Sequence, residues 1–341
     1  MGRKLYIRFT VFAAVLLLAS SFYYLPYYVS KPGMAQELEP IIEVENGFDE
    51  EGSFMLTTVR MGRANIYSYI IAQFSKYQEI YTLEEIRGEG ETDEQYTARQ
   101  MHLMAGSKTS AIEVAYKKAG IPVNYEYNGV YVFSVLPDMP AEEKLKPGDL
   151  IVEVDGQELT TSEEFIEYVG GKQAGTEIEL SFKRNGKSKS AELILKPLPG
   201  EPERAGVGIF PVDDKEIIVK PPVNLKTDEI GGPSAGFMFS LEIYNQLIEE
   251  DLTKGYEIAG TGTISSDGTI GRIGGIEQKI VAADKAGADI FFAPNEDGAE
   301  GSNYEAAVRT AEDIETNMKV VPVNNFNDAV SYLESLKEEA S

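Results

Sequence analysis

The sequence contains no cysteine. That excludes disulfides, thiolate metal sites and cysteine nucleophiles together. It contains one histidine, His102, in the helix-like stretch Gln100-Met101-His102-Leu103-Met104 with no nucleophile motif beside it. An activated serine in this chain therefore needs a base other than histidine. Positive charge is scarce as well: Lys and Arg number 31 against 56 Asp and Glu, a formal net charge of −25. Such a balance repels phosphate backbones and argues against nucleic acid as a partner. Nucleotide loops are missing too. Gly186-Lys187-Ser188 ends like a phosphate loop, but Ser181 stands where its first glycine is required, and the segment reads as a hairpin. Gly260-Thr261-Gly262 lacks a third glycine and a ribose-binding acid. No metal and no cofactor is expected.

What is present begins with an apolar run. Arg3, Lys4 and Arg8 precede Phe9–Val29, 21 residues without a charge. About 20 apolar residues suffice to cross a bilayer as a helix. Tyr23, Tyr24, Tyr27 and Tyr28 crowd its far end, as aromatic residues do at an interface, and Pro26 lies among them. The expectation is a single-pass transmembrane helix over 9–29, with residues 1–8 cytoplasmic and the rest extracytoplasmic. A cleaved signal peptide, with Leu18-Ala19-Ser20-Ser21 as a small-residue site, is the competing reading; the run continues past that point, which favours an uncleaved anchor.

Residues 30–121 read as an α/β region of open role. Strands are expected over 41–44 and 52–59, a helix over 66–74, a charged loop over 84–94 and a long amphipathic helix over 95–118. No chemistry is evident there. Residues 122–200 read as a compact β-rich unit. Gly129–Val135 alternates as a strand, Leu150–Val154 is the next, and Asp155-Gly156 is a hairpin signal. Ser162–Val169 is a short helix, and two further strands flank Arg184-Asn185-Gly186. This order, with Val135-Leu136-Pro137-Asp138-Met139-Pro140-Ala141, Leu145-Lys146-Pro147-Gly148-Asp149 and Val154-Asp155-Gly156, resembles a PDZ domain of the bacterial protease type. PDZ domains bind an extended peptide at a sheet edge. The resemblance implies an edge at Gly129, Val130, Tyr131 and Val132; a ligand-free spacer is the plainer reading.

After a linker at 198–203, residues 204–341 alternate strands and helices, as an α/β domain does. Gly231-Gly232-Pro233-Ser234-Ala235-Gly236 opens a helix expected over 234–249, since Phe237, Leu241, Tyr244 and Ile248 recur at helical spacing. Pro233 suits the first turn. Ser234 then sits where free N–H groups and the positive dipole end favour an anion, although a helix-capping serine accounts for the hexapeptide equally well. Lys279 separates the two. With Ile276 at zero on a helical wheel, Ile280, Ala283, Ala286 and Gly287 cluster on one side and Lys279 falls among them. Glu277, Gln278, Asp284 and Lys285 point elsewhere. A lysine on a buried face loses hydration and its pKa falls, and only the neutral amine can take a serine proton. A lysine at the rim of such a face can instead snorkel to water.

Gly232-Pro233-Ser234-Ala235-Gly236, with Ile273-Gly274-Gly275-Ile276 followed by Lys279 and Ala282-Ala283, resembles the proteolytic domain of the Lon family over about 205–335. The resemblance implies a serine endopeptidase acting through an acyl-enzyme, with Ser234 as nucleophile, Lys279 as base, Thr261 orienting the lysine and Gly232 and Pro233 supporting the turn. Gly231 and Thr263 depart from acids usual at those places in the family. The whole arrangement is similar to the membrane-anchored, PDZ-containing Lon-like proteases of Gram-positive bacteria. It implies an α+β multidomain chain that works without ATP on extracytoplasmic peptides or membrane-protein segments, with ring formation known in the family. A non-catalytic PDZ scaffold is the alternative.

Overall fold

The computed structural model describes residues 2–88, 91–227 and 231–337. The chain opens with helix α1 (Gly2–Ser20) and continues through β1 (Tyr24–Glu37), β2 (Ile42–Val44), β3 (Ser53–Asn65), α2 (Ile66–Phe74), β4 (Glu79–Thr82), α3 (Leu83–Ile86) and α4 (Asp93–Lys118). The second segment holds β5 (Asn124–Val135), β6 (Leu150–Val154), β7 (Gln157–Glu158), α5 (Ser162–Gly170), β8 (Glu177–Arg184), β9 (Lys187–Ile194), β10 (Lys196–Leu198), β11 (Glu201–Gly206) and β12 (Ile209–Ile218). The third holds β13 (Val223–Leu225), α6 (Gly236–Leu247), β14 (Glu257–Gly260), β15 (Thr263–Ile264), β16 (Ile270–Gly271), α7 (Ile276–Ala286), β17 (Ile290–Pro294), α8 (Asn303–Asp313), β18 (Lys319–Val323) and α9 (Phe326–Glu334).

The expected transmembrane helix over 9–29 is not formed, and the fold class is corrected accordingly. Among the described residues no helix is long and apolar enough to cross a membrane. Helix α1 stops at Ser20, and Val29 is already inside a sheet, opposite Gly62 on one side and Ile80 on the other. The apolar part of α1, Phe9–Ser20, spans roughly 18 Å at about 1.5 Å per residue, against a hydrocarbon core of about 30 Å. Beyond it the tyrosines and Val29 favour a pleated strand. Pro26, without an N–H, falls at a break in the ladder between Tyr24 and Tyr28. Of the expected charged loop over 84–94, residues 89 and 90 lie outside the described residues, and 83–86 form α3.

The first and third segments share one sheet, ordered β18-β17-β14-β3-β1-β4. Strand β14 runs parallel to both β3 and β17, so residues some 200 positions apart become neighbours, as in the pairing of Phe54 with Ile258. Strand β17 is buried on both faces, which is why Ile290-Phe291-Phe292-Ala293 reads as an unbroken apolar run. Ile290 and Phe292 face a core with Phe237, Leu241 and Leu333; Phe291 and Ala293 face another with Ile276, Ile280 and Ala307. Helices α6 and α9 thus cover one side, α7 and α8 the other. Helix α4 packs against α6, and Tyr116 Oη donates to the carbonyl of Pro221 (2.6 Å), closing the chain where the second segment leaves and returns.

That second segment is a separate sheet, β12-β5-β6-β8-β9, with its own core of Val130, Val132, Ile151, Phe165, Leu180 and Leu193. Asp155-Gly156 and Asn185-Gly186 both take positive φ, 52° and 77° and then 50° and 73°, as tight hairpin turns require. Asp149 is fully buried and held by Arg184 through two bonds of 2.7 and 2.6 Å.

Candidate active site

Ser234 lies just before α6, whose first residue is Gly236, in a turn fixed from several directions. Ser107 Oγ of α4 donates to the carbonyl of Pro233 (2.9 Å). Gly262 N–H and Thr261 Oγ1 both donate to the carbonyl of Ser234 (2.9 and 3.0 Å). Gly232 N–H donates to the carbonyl of Gln100 (3.1 Å), in a backbone with φ of +85° that favours glycine. A side chain at Gly236 would meet Ser107 Oγ at 2.2 Å, so that close approach of α4 needs glycine. The N–H groups of Ser234 and Ala235 donate to no protein acceptor among the described residues, and no side chain caps α6. They remain available to a ligand.

Lys279 approaches from α7. Its Nζ is 2.8 Å from Ser234 Oγ and 2.7 Å from Thr261 Oγ1. The side chain is 2% exposed, among the buried residues Ile276, Ile280 and Ala283, so the snorkelling alternative does not apply. Burial pushes the Lys279 pKa down to about 7, because the ammonium form loses its hydration. Thr261 is itself 1% exposed. Its hydroxyl proton goes to the Ser234 carbonyl, which leaves its oxygen lone pairs for a Lys279 N–H. The helical wheel misplaced one neighbour: Gln278 is fully buried too, its Nε2 donating to Ser30 Oγ (3.1 Å), because α7 lies against β1 as well as the core.

A cleft of about 780 Å³ opens over Ser234 and Lys279. One wall comes from the chemistry-bearing loops, including Gly232, Pro233 and Gly274. The opposite wall comes from Met34, Val59, Met61, Gln100 and Met104, in the region where the sequence shows no motif. Ser107 and Gln100 were missed for the same reason: their contacts with Pro233 and Gly232 span more than 120 residues and leave no local pattern. His102 lies on α4 with its ring stacked on Tyr131 (3.7 Å, planes 2° apart), and burial lowers its pKa.

The structure places Gly129, Val130, Tyr131 and Val132 inside a sheet and not at its edge. Strand β5 is paired along its length with β12, while Val130 and Tyr131 face Ile151 and Leu150 of β6, and Val132 N–H donates to the Asp149 carbonyl (2.8 Å). The edge strand beside α5 is β12, where Ser162 N–H and Oγ both donate to Asp213 Oδ1 (2.7 and 2.6 Å).

Comparison with known proteins divides the chain along the same lines. Residues 118–195 match the PDZ domain family, and residues 221–334 match the Lon protease (S16) C-terminal proteolytic domain. The Lon protease of the Aster yellows witches'-broom phytoplasma is 30% identical over 100 residues, 29% of this chain and 12% of that protein. A probable periplasmic serine endoprotease DegP-like of Marinomonas is 36% identical over 77 residues, 22% of this chain and 16% of that protein. The PDZ domain of the SdrC-like protein of Listeria monocytogenes is 38% identical, with 26% of this chain and 90% of that one covered and a TM-score of 0.24. The chain therefore spans well under a fifth of the length of these two curated relatives. It is thus similar to a PDZ domain over residues 118–195 and to a Lon proteolytic domain over residues 221–334.

Proposed function

We propose that this chain is an ATP-independent serine endopeptidase in which Ser234 is the nucleophile and Lys279 the general base. The observation that carries the reading is the 2.8 Å approach of a buried Lys279 Nζ to Ser234 Oγ. With its pKa lowered to about 7, a large share of Lys279 is neutral at physiological pH. One N–H is spent on Thr261, which turns the nitrogen lone pair toward Ser234. Ser234 O–H then donates to that lone pair, the proton moves to Nζ, and Oγ bonds to the substrate carbonyl carbon. The oxyanion that forms is met by the N–H groups of Ser234 and Ala235 at the mouth of α6. Collapse breaks the C–N bond, the ammonium of Lys279 protonates the leaving amine, and an ester on Ser234 remains. Water hydrolyses that ester with Lys279 again as base, releasing the acid and regenerating Ser234.

Independence from ATP is proposed because the sequence carries no phosphate-cradling loop, so substrates are peptides or flexible segments that need no unfolding. The PDZ domain is proposed to hold an extended segment by strand addition at β12, the sheet edge beside α5.

The test is cleavage of an unstructured protein without nucleotide by wild type, Ser234→Ala and Lys279→Ala. Wild type is expected to cleave, and each variant to lose about 10⁴-fold or more in kcat. Equal cleavage by all three would refute the dyad. Cleavage only on addition of ATP would refute nucleotide independence.

A further inference from the structure

The PDZ sheet does more in this fold than hang beside the catalytic domain. Along β5, Val130 and Val132 point into the PDZ core, so Tyr131 and Phe133 emerge on the opposite face. On β12, Val212 is opposite Tyr131 and 39% exposed on that same outer face. The outer face is pressed against the catalytic domain by the stacking of Tyr131 on His102 of α4. Between the two domains lies a second cavity of about 370 Å³, walled by Leu103, Phe133, Val212 and Ile264. It does not stand apart from the active-site cleft. Pro233, next to Ser234, and Thr263 line both. The turn that carries the nucleophile is therefore the ridge between an open cleft on one side and a largely apolar groove, to which the PDZ sheet contributes Phe133 and Val212, on the other.

We infer that this groove is a substrate subsite, which takes an apolar side chain on the PDZ-facing side of the scissile bond, and that Phe133 and Val212 are specificity-determining residues supplied by the PDZ domain. The inference rests on the proteolytic reading above and adds a substrate class to it. An extended peptide whose carbonyl meets Ser234 has to continue past Pro233 and Thr263, and the groove is what lies beyond them. Leu103, Phe133, Val212 and Ile264 remove an aliphatic or aromatic side chain from water, whereas a carboxylate there would lose its hydration against a lining that, among the described residues, offers His102, Ser107, Ser110 and Thr263 but no Lys or Arg. A PDZ domain so placed selects the cut directly and does not act only as a distant tether.

The test uses the full chain and a set of quenched fluorescent peptides of one sequence, with Leu replaced by Asp at one position at a time on either side of the scissile bond. In wild type, Asp at the groove position is expected to lower kcat/KM by about tenfold or more. Val212→Lys, which puts a cation in the groove, is expected to reverse that preference at the groove position alone and leave the penalties elsewhere in place. Lys187→Glu, at the tip of the hairpin between β8 and β9, is the charge control and should shift no preference. If Val212→Lys does not fold, Phe133→Ala enlarges the same groove and should shift the preference from Leu toward Trp at that position. A uniform change across all peptides, or none, overturns the inference. If wild type cleaves none of the peptides, or Ser234→Ala cleaves as well as wild type, the proteolytic reading falls and the subsite falls with it.

Discussion

Two groups of ionisable side chains are buried beside α6, and they differ in what surrounds the neutral form. Before the helix starts, Lys279 is stripped of water, but its nitrogen has Thr261 and Ser234 within 2.8 Å. Along the helix, Glu242 is fully buried with Glu50 nearby. One Glu242 oxygen accepts from Gln246, while Oε2 of Glu242 and Oε1 of Glu50 have no partner among the described residues. Desolvation is the leading cause of all three pKa shifts: it lowers the base and raises both acids; the Glu242 charge raises Glu50 further, and Glu39 and Asp251 raise Glu242. The same physical force therefore yields, in one place, the neutral amine that the proposed general base requires and, in the other, an uncompensated burial. The distinction lies in whether the neutral group has something to do: a neutral amine can accept a serine proton, whereas Oε2 of a protonated Glu242 has no partner among the described residues.

The contrast can be broken most severely at Lys279. Lys279→Met should abolish cleavage and at the same time raise the melting temperature at pH 7. A lysine whose folded pKa lies below its unfolded value penalises the folded state below the unfolded pKa, most fully below about 7. The gain should fade as the pH approaches the ordinary lysine range, which thermal unfolding from pH 7 to 10 would show. Loss of activity without that stabilisation would mean that Lys279 is charged in the folded enzyme.

Thr261→Val sharpens the comparison by leaving Lys279 buried but without its hydroxyl partner. Misplacement of the lone pair should cost about 10²-fold in kcat. The hydroxyl also accepts from the ammonium form, so its removal should move the acid limb of the pH–rate profile to lower pH. A purely structural role for Thr261 would lower the rate with no movement of that limb.

The smallest effect belongs to the acids. A carboxyl with a raised folded pKa contributes stability that is complete below its unfolded pKa and is lost as pH rises through the folded value. Glu242→Gln should therefore leave activity unchanged near neutral pH and raise the melting temperature by a few degrees at alkaline pH. It should change little at pH 4. A melting curve that shifts equally at pH 4 and pH 9 would remove the proton-linked account.

Much of the candidate site was legible in the sequence because its signals are local. Helical spacing placed Lys279 on the buried face of α7, and Pro233 marked the start of α6 to within three residues. Asp155-Gly156 and Asn185-Gly186 announced their turns through the positive φ they adopt. What stayed hidden depends on distant partners. The charge-free run 9–29 satisfies the composition of a spanning helix, yet Tyr24–Val29 belongs to β1 because β3 and β4 offer it a ladder. Strand β5 alternates as any edge strand does, and only the pairing with β12 shows that its edge is taken. The role of 30–121 in walling the cleft rests on β3 pairing with β14 and on α4 packing against α6, contacts across more than 100 residues. Gln278 is buried because α7 has two packing partners, which a wheel of one helix cannot represent.

Whether Lys279 acts as a neutral base is read from the pH dependence of kcat/KM, because that parameter reports the pKa values of the free enzyme. A neutral lysine base gives a single rise centred near pH 7, reaching a plateau below pH 9, as Lys279 gives up its proton. A profile that is flat from about pH 6 to 10, or one that rises only in the ordinary lysine range, would contradict it.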